Sequence, residues 1–468
     1  IRVFGASSYG LYSIGQSIID IAASIGLLGD GKGFIRFAAS FLYKNDAPRL
    51  KGMIHGYIFI CLLSSITIAT LLFLGAEYLS LKVFHNSALV VVLKIFALSF
   101  PFYIFSIMVV PVGCAFQKME YKVIVQEVAQ PVINIIGIVI VFVIGARLYG
   151  AAACFFISSV ATSILGFYLL KNLYPEITSV SKAIFGIKKL IVYSLPLIGI
   201  ISCYCLLCRF DRIILGIYRT PFEVGIYSAA SNTAMSILAF SSIFGASFIP
   251  VIAQLYHSDK KEELEKIYNC VTLWGMCITF ILCLTLIIFN KEIISFFGRG
   301  LNAAEPVLVV LSISFLVEAA SGQVRQLFEM SSHQNIELIN SFAAIIVNVA
   351  LNLIFIPSLG VMGAAFAFLS TMIIMSVARA IELKIIFGFL PFNRRYLKII
   401  IFIIFAIVVS LLPVVNTNII VRIATAIFIF SSFARLIFKS RSEEDMIVWK
   451  EMKISLSKKQ GAGEMLCP

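Results

Sequence analysis

The chain has 468 residues, of which 60% are hydrophobic and only 13% charged, and its formal net charge is +13; the mean hydropathy is +1.01. A soluble globular protein carries about 25% charged residues, so this composition excludes one. The positive balance does not point to nucleic acid, because the lysines and arginines sit in short connections between apolar runs, where a membrane protein collects them on its cytoplasmic side.

The apolar runs are long enough to cross about 30 Å of hydrocarbon as helices. Continuous stretches such as Ile58 to Leu74 and Ile399 to Leu412 do not alternate in polarity, which excludes a membrane β-barrel. Taken in chain order, apolar windows bounded by breakers and charges predict thirteen helices. They lie at 8–40, 52–76, 87–114, 121–144, 149–170, 187–217, 222–254, 263–289, 303–329, 335–356, 360–387, 396–413 and 418–438. Connections rich in positive charge (Lys44, Arg49 and Lys51; Lys118 and Lys122; Lys171, Lys182, Lys188 and Lys189; Lys260, Lys261 and Lys266; Arg394, Arg395 and Lys398) alternate with poorer ones holding Lys82, Arg147, Arg219, Lys291, Arg299 and Arg422. The rich set is assigned to the cytoplasm, as is the basic tail from Arg435 through Lys459. There is no initial Met and no signal peptide, and the opening Ile1-Arg2-Val3-Phe4 reads as a chain whose first residues are missing. Ten cysteines and four histidines show no metal-ligand spacing; Cys203, Cys205 and Cys208 lie in an apolar run and read as small packing residues, with no disulfide implied.

An internal repeat is the most specific signal. Gly10-Leu11-Tyr12-Ser13 recurs as Gly225-Ile226-Tyr227-Ser228, and Phe41 to Asp46 recurs as Gln254 to Asp259. Tyr149 to Ala153 answers Met362 to Phe366, and Asn134 answers Asn348, all at nearly one offset. Small residues recur in any set of membrane helices, but four matches in order at a constant offset indicate duplication. The copies are parallel, related by an axis along the membrane normal. The counterpart of the helix at 187–217 would end near Phe4, so a complete protein would have six plus six helices and two more at its C-terminal end. The expected domains are an N-terminal lobe at 1–175 lacking its first helix, a C-terminal lobe at 187–390, two added helices at 396–438, and a basic cytoplasmic tail at 439–468. The fold class is an all-α polytopic membrane protein of fourteen spans, about thirteen of them in this chain.

The segments Gly5 to Ser13, Gly29-Asp30-Gly31 with Arg36, Phe210-Asp211-Arg212-Ile213-Ile214-Leu215-Gly216 followed by Val224 to Ser228, and Gly360-Val361-Met362-Gly363-Ala364-Ala365 carry a resemblance. Over nearly the whole chain they resemble the polysaccharide (O-antigen type) flippases of the multidrug, oligosaccharidyl-lipid and polysaccharide exporter superfamily. The resemblance implies two six-helix lobes facing a central cavity that opens alternately to either side of a bacterial cytoplasmic membrane. It also implies an undecaprenyl-diphosphate-linked oligosaccharide as cargo, and membrane lipids, a polysaccharide polymerase and other pathway proteins as partners.

Ionisable groups within spans are costly and tend to face water or a partner. Arg209 and Arg212, three apart with Asp211 beside them, are candidates for binding a diphosphate headgroup, since a guanidinium grips phosphate oxygens in two parallel hydrogen bonds. The alternative is that they snorkel near a helix end and pair with Asp211. Lys32 and Arg36, following a Gly-rich break at Gly26, Gly29, Gly31 and Gly33, are a second candidate pair, with positive-inside anchoring as the competing reading. Ser13, Gln16, Asp20 and Ser24 form a polar stripe expected to line water. Gln126, Glu127, Gln130 and Asn134 mark one further face, and Glu337, Ser341, Asn348 and Asn352 another; cavity lining and interhelical hydrogen bonding both account for them. Glu318, Arg325 and Glu329 recur near multiples of 3.5 and suggest a gate or an internal ion pair. Pro131, Pro196 and Pro250 sit within spans, where they permit kinks.

No Walker loop, zinc motif or nucleophile constellation is present, so the sequence reads as a transporter without catalytic residues or cofactor, driven by a gradient or by downstream use of its cargo. The alternatives are a cation-coupled exporter of small molecules, which would favour carboxylates over arginines, and a membrane polysaccharide polymerase, which would need larger external loops. A purely scaffolding subunit has little use for Asp20, Glu127 and Glu318 inside its spans.

Overall fold

The computed structural model describes residues 1–2, 4–145, 147–173, 184, 187–258, 260–298, 300–331, 333–390, 394–412 and 418–439, and among them every regular element is a helix. In order these are α1 (Ala6–Gly26), α2 (Lys32–Tyr43), α3 (Ala47–Tyr78, running on into a π turn at Leu79–Val83) and α4 (Ala88–Ala115). A short α5 (Glu120–Lys122), a π segment (Val123–Ala129) and α6 (Gln130–Ile144) make one continuous span, followed by α7 (Arg147–Leu173). Then come α8 (Ile187–Tyr218), α9 (Pro221–His257), α10 (Lys261–Ile288), α11 (Asn290–Phe297), α12 (Ala304–Ala320) and α13 (Val324–Met330). The last four are α14 (Gln334–Leu359), α15 (Val361–Phe387), α16 (Arg394–Leu411) and α17 (Ile419–Lys439). The basic tail beyond Lys439 and the side chain of Pro250 lie outside the described residues.

Ten helical stretches among the described residues are long and apolar enough to cross a membrane. Together with the broken α1–α2 segment, α9 and the shorter apolar helix at Tyr396–Leu411 they account for the thirteen expected spans. Local chemistry sets the ends. The Asp46 carboxylate accepts the Arg49 N–H at 3.2 Å and starts α3 with Pro48 in its first turn. Gly145 (φ 79°) and Gly360 (φ 60°) end α6 and α14 in the left-handed region.

Two spans differ from the sequence expectation. The helix expected over 8–40 is interrupted, because Leu28, Gly29, Asp30 and Gly31 all have positive φ, between 52° and 72°. Tight neighbours hold this turn: a Cβ on Gly31 would lie 2.4 Å from Pro111 and one on Gly29 2.9 Å from the Ile198 nitrogen. The helix expected over 303–329 breaks at Gly322 (φ 73°), and the carbonyls freed there are taken up by other helices. Tyr268 Oη donates to Ser321 O at 2.9 Å, Ser376 Oγ to Val317 O at 3.1 Å, and Tyr396 Oη to Ala320 O. Irregular backbone at membrane depth is tolerated when protein side chains satisfy it in this way.

The chain divides into two compact units. Unit 1 comprises Ile1–Ser228, Phe297–Arg299 and Leu338–Ala364. Within it α4 is central, packing on α1, α3 and α7, with Phe96 edge-on to Phe155 at 5.1 Å and Phe34 stacked on Tyr57 at 4.6 Å. Close approach depends on small residues: a Cβ on Gly166 would sit 2.8 Å from Val109. Unit 2 comprises Ala229–Phe296, Gly300–Glu337 and Ala365–Pro468. Among the described residues its α10 is largely enclosed and packs on α12, α16 and α17; Phe280 meets Phe433 edge-on at 4.7 Å.

Candidate functional site

The most chemically loaded region of unit 1 is the seam of α1 and α8. Arg209 Nη2 lies 3.0 Å from Asp20 Oδ2, with the two side chains 21% and 15% exposed, and Gln16 Nε2 donates to Asp20 Oδ1 at 2.9 Å. One turn along α8, Arg212 is 1% exposed. Asp211 turns the other way and is also enclosed. Tyr227 Oη donates to its Oδ2 at 2.6 Å, and Asn352 Nδ2 donates to its Oδ1 at 2.7 Å. Asn352 Nδ2 also donates to Asn348 Oδ1 at 2.9 Å, which leaves Asn352 Oδ1 and Asn348 Nδ2 enclosed with no hydrogen-bond partner among the described residues. Asp211 therefore does not neutralise Arg209, whose counter-ion comes from α1.

The repeated glycines bring this region together. A Cβ on Gly10 would meet the Pro221 carbonyl oxygen at 1.8 Å, and one on Gly225 would meet the Ala6 oxygen at 2.1 Å. The two copies of the Gly-x-Tyr-Ser motif thus pack backbone to backbone, which places Tyr227 beside Asp211.

The other sequence candidates separate. In the polar stripe of α1, Ser13 and Ser24 are buried, and Ser24 Oγ donates to Ser202 Oγ of α8 at 3.1 Å, so only Gln16 and Asp20 remain half-open. Lys32 and Arg36 are exposed on α2, with the Arg36 guanidinium 4.6 Å from the centre of the Tyr193 ring. Glu127 and Asn134 are not one face. The π segment at Val123–Ala129 shifts the helical phase, leaving Glu127 exposed 3.9 Å from Lys122 Nζ, while Asn134 lines a cavity of about 230 Å³ with Tyr9 and Tyr12. In unit 2, Glu318 and Arg325 fall on opposite sides of the α12–α13 break and share no continuous helical face. Both are half-buried, and Glu318 Oε2 is enclosed with no hydrogen-bond partner among the described residues; the Glu329 side chain lies outside them.

Sequence reasoning missed two ion pairs of unit 2. Arg379 Nη2 donates to the fully buried Glu337 at 2.7 Å, and Arg422 Nη1 reaches both Glu292 oxygens at 2.7 Å. Arg379, the first charge after the uncharged run from Val361, was the available signal; the helix that carries Glu292, α11, is too short to register in a membrane-length window. Among the described residues no group of three His, Cys, Asp or Glu side chains is placed to hold a metal.

The family described as polysaccharide biosynthesis protein matches residues 1–256, more than half of the chain. The chain belongs to the polysaccharide biosynthesis protein family. The MatE family matches residues 196–354. Relatives of this family member include two from Haloferax volcanii. One is the probable low-salt glycan biosynthesis flippase Agl15, 22% identical over 158 residues that make up 34% of each chain. The other is the probable flippase AglR, 28% identical over 174 residues, 36% of each chain. The match spans about a third of the length of these curated relatives. Among solved structures, the lipid II flippase MurJ in an inward closed conformation superposes with a TM-score of 0.67 at 15% identity, covering 93% of this chain and 97% of MurJ. An inward-facing multidrug resistance MATE family transporter of the MOP superfamily gives 0.68 at 14% identity, covering 83% and 95%. At these identities the likeness establishes the fold alone, that of a multi-pass bundle of apolar helices.

Proposed function

We propose that this protein is a flippase that carries a lipid-linked oligosaccharide, an undecaprenyl-diphosphate-linked repeat unit of a surface polysaccharide, across a bacterial cytoplasmic membrane by alternating access. The observation that carries this reading is the half-open Arg209–Asp20 pair at 3.0 Å with a second arginine one turn away. A diphosphate arriving at the seam can take over the Arg209 guanidinium in a bidentate grip and release Asp20 to Gln16. Arg212 is enclosed in the state described, so a headgroup reaches Arg209 first and meets Arg212 only when α1 and α8 part. Lys32 and Arg36 would meet the anionic group on its way in. Family membership and the names of the flippase relatives support the cargo class. In this reading the lobes are residues 1–175 and 187–390, the helices at 396–438 are additions, the C-terminus is cytoplasmic, and no bond in the cargo is made or broken.

The test is complementation of a bacterium that lacks its own surface-polysaccharide flippase, scored as glycan at the cell surface. The parent chain should restore surface glycan, and the R209A/R212A double variant should insert normally yet restore at most a tenth as much. Full export by the double variant would remove the headgroup assignment. One observation favours a second reading, a cation-coupled small-molecule exporter: the enclosed Asp211, held by Tyr227 and Asn352, lies in the part that matches MatE. Drug resistance conferred by the parent chain, without glycan export, would establish that alternative.

A further inference from the structure

Unit 2 contains a cavity of about 140 Å³ where the end of α9, the start of α10 and the end of α15 meet. Its walls are apolar: Leu255, Leu264, Ile386, Phe387 and Phe389, with the Tyr256 ring 6.1 Å from that of Phe387. Its rim is polar, formed by the cationic Lys260 and Lys261 together with the His333 imidazole. We infer that this cavity holds the phosphate headgroup of an anionic phospholipid from the cytoplasmic leaflet. The inference depends on the chain spanning a membrane and is independent of the cargo proposed above.

Size narrows the ligand first. Sites that enclose a drug-sized molecule run to ~300–1,000 Å³; this one admits a phosphodiester and its first carbons, and neither a saccharide repeat unit nor a complete lipid. Charge narrows it next. Lys260 Nζ bridges both Glu263 oxygens at 2.9 and 3.1 Å, but that pair is exposed, and such pairs contribute only about 0–1 kcal/mol, so a phosphate can displace it. Lys261 is exposed, and no carboxylate among the described residues pairs with it. His333, its Nδ1 3.1 Å from the Ser331 hydroxyl, presents the edge of its ring system to Phe387 at 5.8 Å. Position narrows it last. The connection bearing Lys260, Lys261 and Lys266 belongs to the positively charged set, which faces the anionic leaflet, where each basic group gains about 1 kcal/mol near the surface. From the cavity rim an exposed apolar strip runs back along α15 through Ile385, Ile381 and Val377, four residues apart, a path on which acyl chains can lie while the headgroup is inside.

Native mass spectrometry of the detergent-solubilised chain, titrated with dioctanoyl phosphatidylglycerol, reads this directly. Dioctanoyl phosphatidylcholine, inorganic phosphate and undecaprenyl phosphate are the comparison probes. One phosphatidylglycerol per chain should bind at least tenfold more tightly than phosphatidylcholine. The K260A/K261A variant and I386W, which fills the cavity, should each weaken it at least tenfold, while K266A, in the second turn of α10 and outside the lining, should not. Because the lysines are exposed, their variant keeps the test decisive if I386W fails to insert. Equal binding of the two lipids, or an equal loss with K266A, would overturn the site. Binding of inorganic phosphate without phosphatidylglycerol would make it a free-anion site, and binding of undecaprenyl phosphate in its place would make it part of the cargo path; either overturns the phospholipid assignment. None of these outcomes reads transport, so the flippase proposal can fail or stand separately.

Discussion

Placing a methyl group at Gly10 or Gly225 tests the backbone contact that brings the two motif copies together. An added Cβ would stand 1.8 Å from Pro221 O at the first position and 2.1 Å from Ala6 O at the second, where ordinary contact begins near 3.4 Å. The obstructing atoms are backbone, so no side chain can swing away; α1 and the start of α9 must separate by about 1.6 Å for G10A (3.4 minus 1.8) and about 1.3 Å for G225A (3.4 minus 2.1). Overpacking of this kind costs about 1–3 kcal/mol. At roughly 2 °C per kcal/mol or less for a chain this long, each variant should lower Tm by up to ~6 °C. A thiol-reactive dye can follow unfolding, because cysteines such as Cys61 and Cys283 are fully buried until the helices part. Both methyls enter one contact, so once the first has moved the helices the second should cost little, and the double variant should lose clearly less than the sum of the singles. Single variants indistinguishable from the parent, or a strictly additive double, would refute the proposed close approach.

Other perturbations follow from the ion pairs and the enclosed carboxylate. In a double-mutant cycle on thermal stability, D20N and R209A should couple by about 1–2 kcal/mol, as expected for a half-open charge-assisted contact at 3.0 Å; coupling near zero would mean the pair is not made. Breaking a buried pair costs most when the more buried partner is left behind. R379A, which strands the fully buried Glu337, should therefore lower Tm more than E337A, and E292A, which strands the 7%-exposed Arg422 side chain, more than R422A; the opposite order in either pair would contradict the burial. Replacing Asp211 by Asn removes a charge that accepts from both Tyr227 and Asn352, with an expected loss of about 3–5 kcal/mol, whereas Y227F removes one hydrogen bond and should lose about 1.5–3 kcal/mol. Equal melting temperatures for the two variants would show that the carboxylate is not the hub of the network.

The positions of the spans were legible because a membrane imposes a length that a 20-residue apolar window detects without knowledge of packing. The interruptions were legible only in part: the glycines at 26, 29, 31 and 33 mark a break in the first span, but averaging over a window hides where a four-residue turn begins and ends. Leu28 and Asp30 take the left-handed backbone without being glycine, and the surroundings that enforce the turn, Pro111 and Leu197 among them, are distant in sequence. At the α12–α13 break the compensating hydroxyls come from three other helices, so composition at residues 320–323 carries no trace of what makes the break tolerable. Glu127 was paired with Asn134 by a 3.6-residue rule that fails inside a π segment, and Arg379 escaped notice because its partner is one turn into a different helix. Arg209 and Asp20 were both visible as intramembrane charges, yet the adjacent Asp211 was the natural partner on paper. What decides against it is the repeat. With Gly10 and Gly225 bringing α1 and α9 to backbone contact, Tyr227 is delivered to Asp211, and Asp20, ten residues along α1 from Gly10, reaches Arg209 instead. The duplicated motif is thus a packing constraint before it is anything else: each copy can tolerate a side chain at its glycine only if the other yields, which is reason enough for both to have none.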